Sequence, residues 1–145
     1  MSDAPRVIVA GGGIAGMTAA LRLAVGDREG ALDLLRSGEE HIEQTGERFS
    51  ESELFRFKGR ALMTGERPDR RGATVAYERA VFAAREQNAK LLELRATTRL
   101  AAHQKMVGEP VTALRDVAVL CEWFERSADL PDVVRARLLL EAEPS

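Results

Sequence analysis

The sequence predicts an all-α fold of stacked helical hairpins, and three observations carry that expectation. Alanine, leucine, glutamate and arginine are abundant while aromatics make up only 5% of the 145 residues, a balance that favours helix over a β-sandwich. A helical motif of the form small–x3–large–x2–small or apolar recurs three times, as Ala31, Leu35 and Gly38, then Ala73, Tyr77 and Ala80, then Ala113, Val117 and Leu120. Beyond Ala24 the apolar residues keep helical spacing to the end, and no run alternates as a strand would. With 45% hydrophobic and 30% charged residues, the chain has ordinary globular composition and the length of one domain.

The first element is the exception. Arg6 to Ala10 form a short β-branched run that reads as a buried strand. Gly11, Gly13 and Gly16 follow with G-x-G-x-x-G spacing, and Ile14 to Ala24 read as a helix. In a nucleotide site the first glycine allows a tight turn, the second lets a pyrophosphate approach the backbone, and the third lets helix and strand pack closely. The stretch "VIVAGGGIAGMTAALRLA" resembles the FAD fingerprint of flavin-dependent amine oxidases and phytoene-desaturase-like enzymes. That resemblance implies a flavin or nicotinamide oxidoreductase fragment with FAD at these three glycines, as the alternative to a protein with no cofactor. The fold behind such a site needs a second strand ending in an acidic residue ~20 positions on. Here that place falls at Leu34, beside Asp33, in a stretch that reads as helix. Residues 1–25 therefore form one segment and residues 26–145 another.

The second segment is read from its repeat. Its anchor alanines, Ala31, Ala73 and Ala113, lie 42 and then 40 positions apart. Gly26 and Gly108 each precede their alanine by five positions, and Gly65 precedes Ala73 by eight with "RPD" lengthening the turn. Between the anchors, partner helices are expected over about 14–25, 50–64 and 90–107. Their apolar stripes are Leu54, Phe57, Ala61 and Leu62 in one and Leu91, Leu94, Thr98 and Ala101 in another. Ser50 and Glu53 read as a capping box, and Pro110 and Pro131 as helix starts. "PDVVRARLLLEAE" reads as a terminal helix covering the last exposed edge.

This is the second-helix pattern of the tetratricopeptide repeat (TPR), in a variant longer than usual. The blocks "TGERFSESELFRFKGRALM", "AYERAVFAAREQNAKLLELRATTRLA" and "WF…DLPDVVRARLLL" are similar to the C-terminal tetratricopeptide region of large bacterial regulators. Those regulators join an AAA-type or STAND-type ATPase to class III adenylate cyclase or DNA-binding domains. The resemblance spans residues 26–145 and implies a three-repeat helical-hairpin solenoid with a C-terminal capping helix, acting in partner binding or as a sensing arm. The ATPase and cyclase chemistry does not transfer, because the chain has no G-x-x-x-x-G-K-[ST] loop and no recognisable cyclase aspartate pair. The join near Ala24–Gly26 reads as a fusion of unrelated pieces, with a natural fusion, a truncated gene and a mispredicted frame all open. Ile14 to Ala24 is then expected to stand in for the missing first helix of repeat one.

In tetratricopeptide stacks the first helices line a concave groove. If Gly59 and Ala101 are equivalent small positions, the groove-facing side chains are Glu53, Arg56, Arg60, Arg95, Thr98 and Lys105. Most are cationic, which suits an acidic peptide or helix of a protein partner. The net charge of −2 gives no basic footprint for nucleic acid. No run approaches the ~18 apolar residues of a membrane span. A single cysteine, Cys121, and the lack of a signal-peptide pattern suit a cytoplasmic location.

No catalytic set emerges. His41 and His103 lack partners at ligand spacing, so no metal site is expected and both read as solvated or polar-face histidines. Cys121 lies on the stripe Val111, Leu114, Val117, Ala118, Cys121, Phe124 and reads as a small buried hydrophobe. Trp123 and Phe124 are expected to seal the last repeat against the terminal helix. Three repeats with an irregular first one predict marginal stability or self-association.

Overall fold

The computed structural model describes residues 11–142, with side chains from residue 18 onward. The described residues are all-helical, without a strand. In order they form α1 (Gly11–Ala24), α2 (Arg28–Thr45), α3 (Glu51–Leu62), α4 (Arg70–Glu86), α5 (Lys90–Val107), α6 (Leu114–Trp123), a short 3-10 turn (Glu125–Ser127) and α7 (Pro131–Ala142). The expected strand over Arg6 to Ala10 lies outside the described residues. No helix among the described residues is long and apolar enough to cross a membrane.

Each helix packs on the next, and the odd-numbered helices also pack on one another, α1 on α3, α3 on α5 and α5 on α7. The odd helices thus form one layer. Behind it α2 touches α1 and α3, α4 touches α3 and α5, and α6 touches α5 and α7. The repeated anchors make this possible. Ala31, Ala73 and Ala113 are all buried, as are Leu35, Tyr77 and Val117 and the third positions Gly38, Ala80 and Leu120. A small side chain at the anchor lets two helix axes approach, and the large one a turn later fills the space beside it.

Local chemistry fixes where two of the back-layer helices start. Asp27 caps α2 by accepting the Gly30 N–H at 2.9 Å, and Asp69 caps α4 by accepting the Gly72 N–H at 2.9 Å. A Cβ at Gly30 or Gly72 would meet the capping carboxylate, so glycine at the third helical position leaves the cap its present geometry. The pattern Asp-Arg-x-Gly-Ala occurs at 27–31 and again at 69–73, in step with the anchors. The third copy lacks it, and α6 begins without a side-chain cap. α2 and α5 end on Gly46 and Gly108 in the left-handed conformation, which frees the backbone to leave the helix.

Several sequence expectations need correction. Ser50 does precede α3, but its side chain makes no capping hydrogen bond; Glu53 turns instead to two arginines. Pro131 starts α7, whereas Pro110 lies in the connector before α6. Trp123 is 67% exposed, with the Lys90 ammonium 5.5 Å from its ring centre, so only Phe124 of that pair packs on the core. His103 is buried at 3% exposure, not solvated. Its Nε2 lies 2.9 Å from Thr74 Oγ1 and 3.2 Å from the Arg70 carbonyl, which lets a buried imidazole keep a partner. His41 is partly buried, 3.3 Å from Glu47. Cys121 is buried as expected, and burial pushes its thiol up despite the opposing charge of Arg137.

Candidate functional site

The layer of odd helices carries a groove of about 840 Å³. Ala20 of α1 closes one side. Arg56, Phe57 and Arg60 come from α3, and Leu91, Arg95, Thr98 and Arg99 from α5. Leu130, just before α7, and Pro131, Asp132 and Arg135 from its start form the far wall. Helical spacing explains the pattern: Arg56 and Arg60 are four apart, as are Arg95 and Arg99, so each pair stands on one face of its helix.

Four of the six sequence-predicted residues therefore line the groove, namely Arg56, Arg60, Arg95 and Thr98. Glu53 is not in its wall but is bonded to two of the arginines that are. Lys105 is exposed near the end of α5 and lies outside the groove lining. Sequence reasoning missed Arg99, although it follows Arg95 by one turn. It also missed the α7 contribution, because the terminal helix reads as a cover for an apolar edge and its charged first turn gives no hint of facing α5.

The charges divide into two groups. Arg95 is the hub of the first: it donates to both oxygens of Asp132 at 3.1 and 2.7 Å and to Glu53 at 2.6 Å. Arg56 donates to the same Glu53 at 2.7 and 3.2 Å, and Arg135 lies 3.5 Å from Asp132. The two-pronged geometry holds α3, α5 and α7 in register. Burial pushes the Glu53 carboxyl up, but hydrogen bonds and charge from Arg56 and Arg95 outweigh it and hold it below the ordinary value. The bond to Asp132, opposed by desolvation and reinforced by Glu53, raises the Arg95 guanidinium above its usual range.

Arg60 and Arg99 form the second group. Neither has a carboxylate partner among the described residues; Arg99 instead sits 6.0 Å over the Tyr77 ring. Both also line a smaller pocket of about 240 Å³ behind the groove, walled by Met63, Thr64, Tyr77, Ala102, His103 and Met106. In the groove wall the buried Thr98 hydroxyl has no hydrogen-bond partner among the described residues.

The arrangement offers hydrogen-bond donors and positive charge beside apolar surface. It holds no nucleophile–base pair, and the described residues contain no cluster of three histidine, cysteine or acidic side chains able to hold a metal. Gly11, Gly13 and Gly16 fall inside α1, the helix beginning at Gly11, while the strand that would precede a nucleotide turn lies outside the described residues. Comparison with protein-family models, curated proteins and solved structures gives no match to this chain.

Proposed function

We propose that this chain is a non-catalytic, tetratricopeptide-like repeat module that binds an acidic segment of a protein partner along the groove of its odd-numbered helices. Its similarity to the sensor arms of ATPase- and cyclase-type regulators makes a regulatory role the natural setting. One observation carries the reading: five arginines and a single carboxylate line the groove of a chain whose net charge is −2. Concentrating positive charge on one concave face of a slightly acidic protein steers and orients an anionic partner. Phe57, Leu91 and Leu130 add apolar surface between the charges, as a peptide groove needs. The layering supports the repeat reading, since odd helices that touch every second neighbour are what a stack of hairpins produces.

The test is a titration of isotopically labelled protein with a synthetic peptide of alternating glutamate and leucine, followed by amide chemical shifts. Shifts concentrated on α3, α5 and the first turn of α7, weakening as salt rises, are the expected result. Absence of binding, or shifts confined to the outward faces of α2, α4 and α6, would overturn the proposal.

A further inference from the structure

Five arginines in a groove are not five equivalent contacts. Arg56 and Arg95 already hold Glu53 and Asp132 at hydrogen-bonding distance, and Arg135 leans on Asp132. A ligand carboxylate reaching either of the first two must compete with a carboxylate that is preorganised and covalently tethered nearby, which costs affinity. Arg60 and Arg99 face no such competitor among the described residues, and both are exposed. They come from neighbouring helices and stand at the junction of the groove with the smaller pocket, since each lines both.

The pocket behind them has its own character. Met63, Ala102 and Met106 give it an adaptable apolar lining, and thioether side chains adjust readily to an inserted group. Tyr77 forms its floor. Its ring lies so close to Gly59 that a Cβ there would be 2.6 Å from the ring, so the floor is fixed from below. The Tyr77 residue is 2% exposed, its ring centre 5.3 Å from that of His103, and the pocket-lining His103 has a buried Nδ1 with no hydrogen-bond partner among the described residues.

We infer that this junction is the anchor subsite of the groove: Arg60 and Arg99 clasp one carboxylate of the partner segment while a neighbouring apolar side chain of that segment enters the Met63–Tyr77–Ala102–Met106 pocket. This rests on the groove reading and sharpens it. It divides the five arginines into two that read the ligand, two that brace the helices and Arg135, which leans on Asp132, and it defines the partner motif as an acidic residue beside a medium-sized apolar one.

Fluorescence anisotropy of a labelled alternating glutamate–leucine peptide tests it on the full chain. Arg60→Gln and Arg99→Gln should each weaken binding about tenfold, the scale of one lost charge-assisted hydrogen bond. Arg135→Gln should change it by less than about threefold, because that arginine faces Asp132 and stands outside the smaller pocket. Ala102→Phe, which fills the pocket without removing a charge, should weaken the glutamate–leucine peptide and leave a glutamate–serine peptide unchanged. If the two glutamine variants bind as wild type while the groove amides of the wild type still shift, the anchor is wrong and the groove reading stands. If the wild type binds neither peptide, both fail. A loss caused by Arg135→Gln as large as that caused by Arg60→Gln would also overturn the anchor, since the charge would then act diffusely.

Discussion

The molecule has two hydrophobic clusters built on the same repeated positions and filled differently. The N-terminal one joins α1, α2 and α3 through Ala19, Leu23, Ala31, Leu35, Ile42, Leu54 and Ala61, with no buried aromatic. The C-terminal one runs from α4 to α7 and is centred on Tyr77, with Leu94, Leu100, Val117 and Val133 around it. Leu35 and Tyr77 occupy equivalent places, one turn after Ala31 and Ala73. The difference lies in what faces them. Tyr77 has room only because Gly59 presents no Cβ, so the aromatic floor of the small pocket and the glycine beneath it form one unit. The partly buried Phe55 packs against both clusters and is the seam between them. Core packing here does two tasks in the C-terminal half, stability and the shaping of the small pocket, and one in the N-terminal half.

The largest expected effect tests that asymmetry. Tyr77→Ala should destabilise the fold by about 3–5 kcal/mol and more than Leu35→Ala, whose class of substitution costs about 2–5, both read from urea-induced unfolding. Since domains of this kind have only about 5–15 kcal/mol in total, the first variant should be close to unfolding at physiological temperature. Equal or reversed costs would break the comparison. Amide exchange gives a milder check: central amides of α4 and α5 should exchange more slowly than those of α2.

Next comes Gly59→Ala. A methyl group there meets three ring carbons of Tyr77 at 2.6–2.8 Å, on a residue that is only 2% exposed. Overpacking of this kind costs about 1–3 kcal/mol. In a Tyr77→Leu background the clash is relieved and alanine's better helix propensity, about 1 kcal/mol over glycine, should make the same substitution neutral or stabilising. A change of sign between the two backgrounds is the signature. Additive effects would mean that Gly59 and Tyr77 are independent.

Much of this was legible in the sequence, and the reasons are specific. The nine motif positions are all buried because spacing alone puts the three of each copy on one face of its helix. The range expected for α5 matches its bounds, and α3 and α1 differ by three residues or fewer at either end. The Asp-Arg-x-Gly-Ala caps were equally available, since they keep the 42-residue step, but a reading built on apolar positions passes over them. What composition could not supply was pairing across the layer. Glu53 looks like a capping residue until α5 brings Arg95 beside it, and His103 looks solvated until α4 covers it. Neither depends on local sequence. Asp132 joined the groove for the same reason, through a contact between α5 and α7 that no periodicity encodes.

The bracing network itself gives the smaller predictions. Asp132→Asn removes one side of a two-pronged pair that is only 11% exposed at the aspartate, and it removes a negative charge from the first turn of α7. A cost of about 1–2 kcal/mol is expected. Asp33→Asn breaks a pair in which both side chains are about two-thirds exposed, and its cost should be near zero. If the two aspartates behave alike, Arg95 does not brace the layer.

A further effect is in acid, and its sign follows from Glu53. Arg56 and Arg95 hold this carboxyl below its ordinary value of 4.5 in the folded chain. Between that ordinary value and the lowered one, the unfolded chain binds the proton more readily, so stability falls as pH falls. The contribution is complete above the ordinary value and disappears as pH drops through the folded one. Thermal melts of wild type and Glu53→Gln should therefore differ most near neutral pH and converge as the pH falls below 4.5. The glutamine variant still fills the space between Arg56 and Arg95 but takes no part in the titration. A gap between the two melting curves that stays constant with pH would assign Glu53 a purely steric place, and the arginines around it would have to be held by something other than its charge.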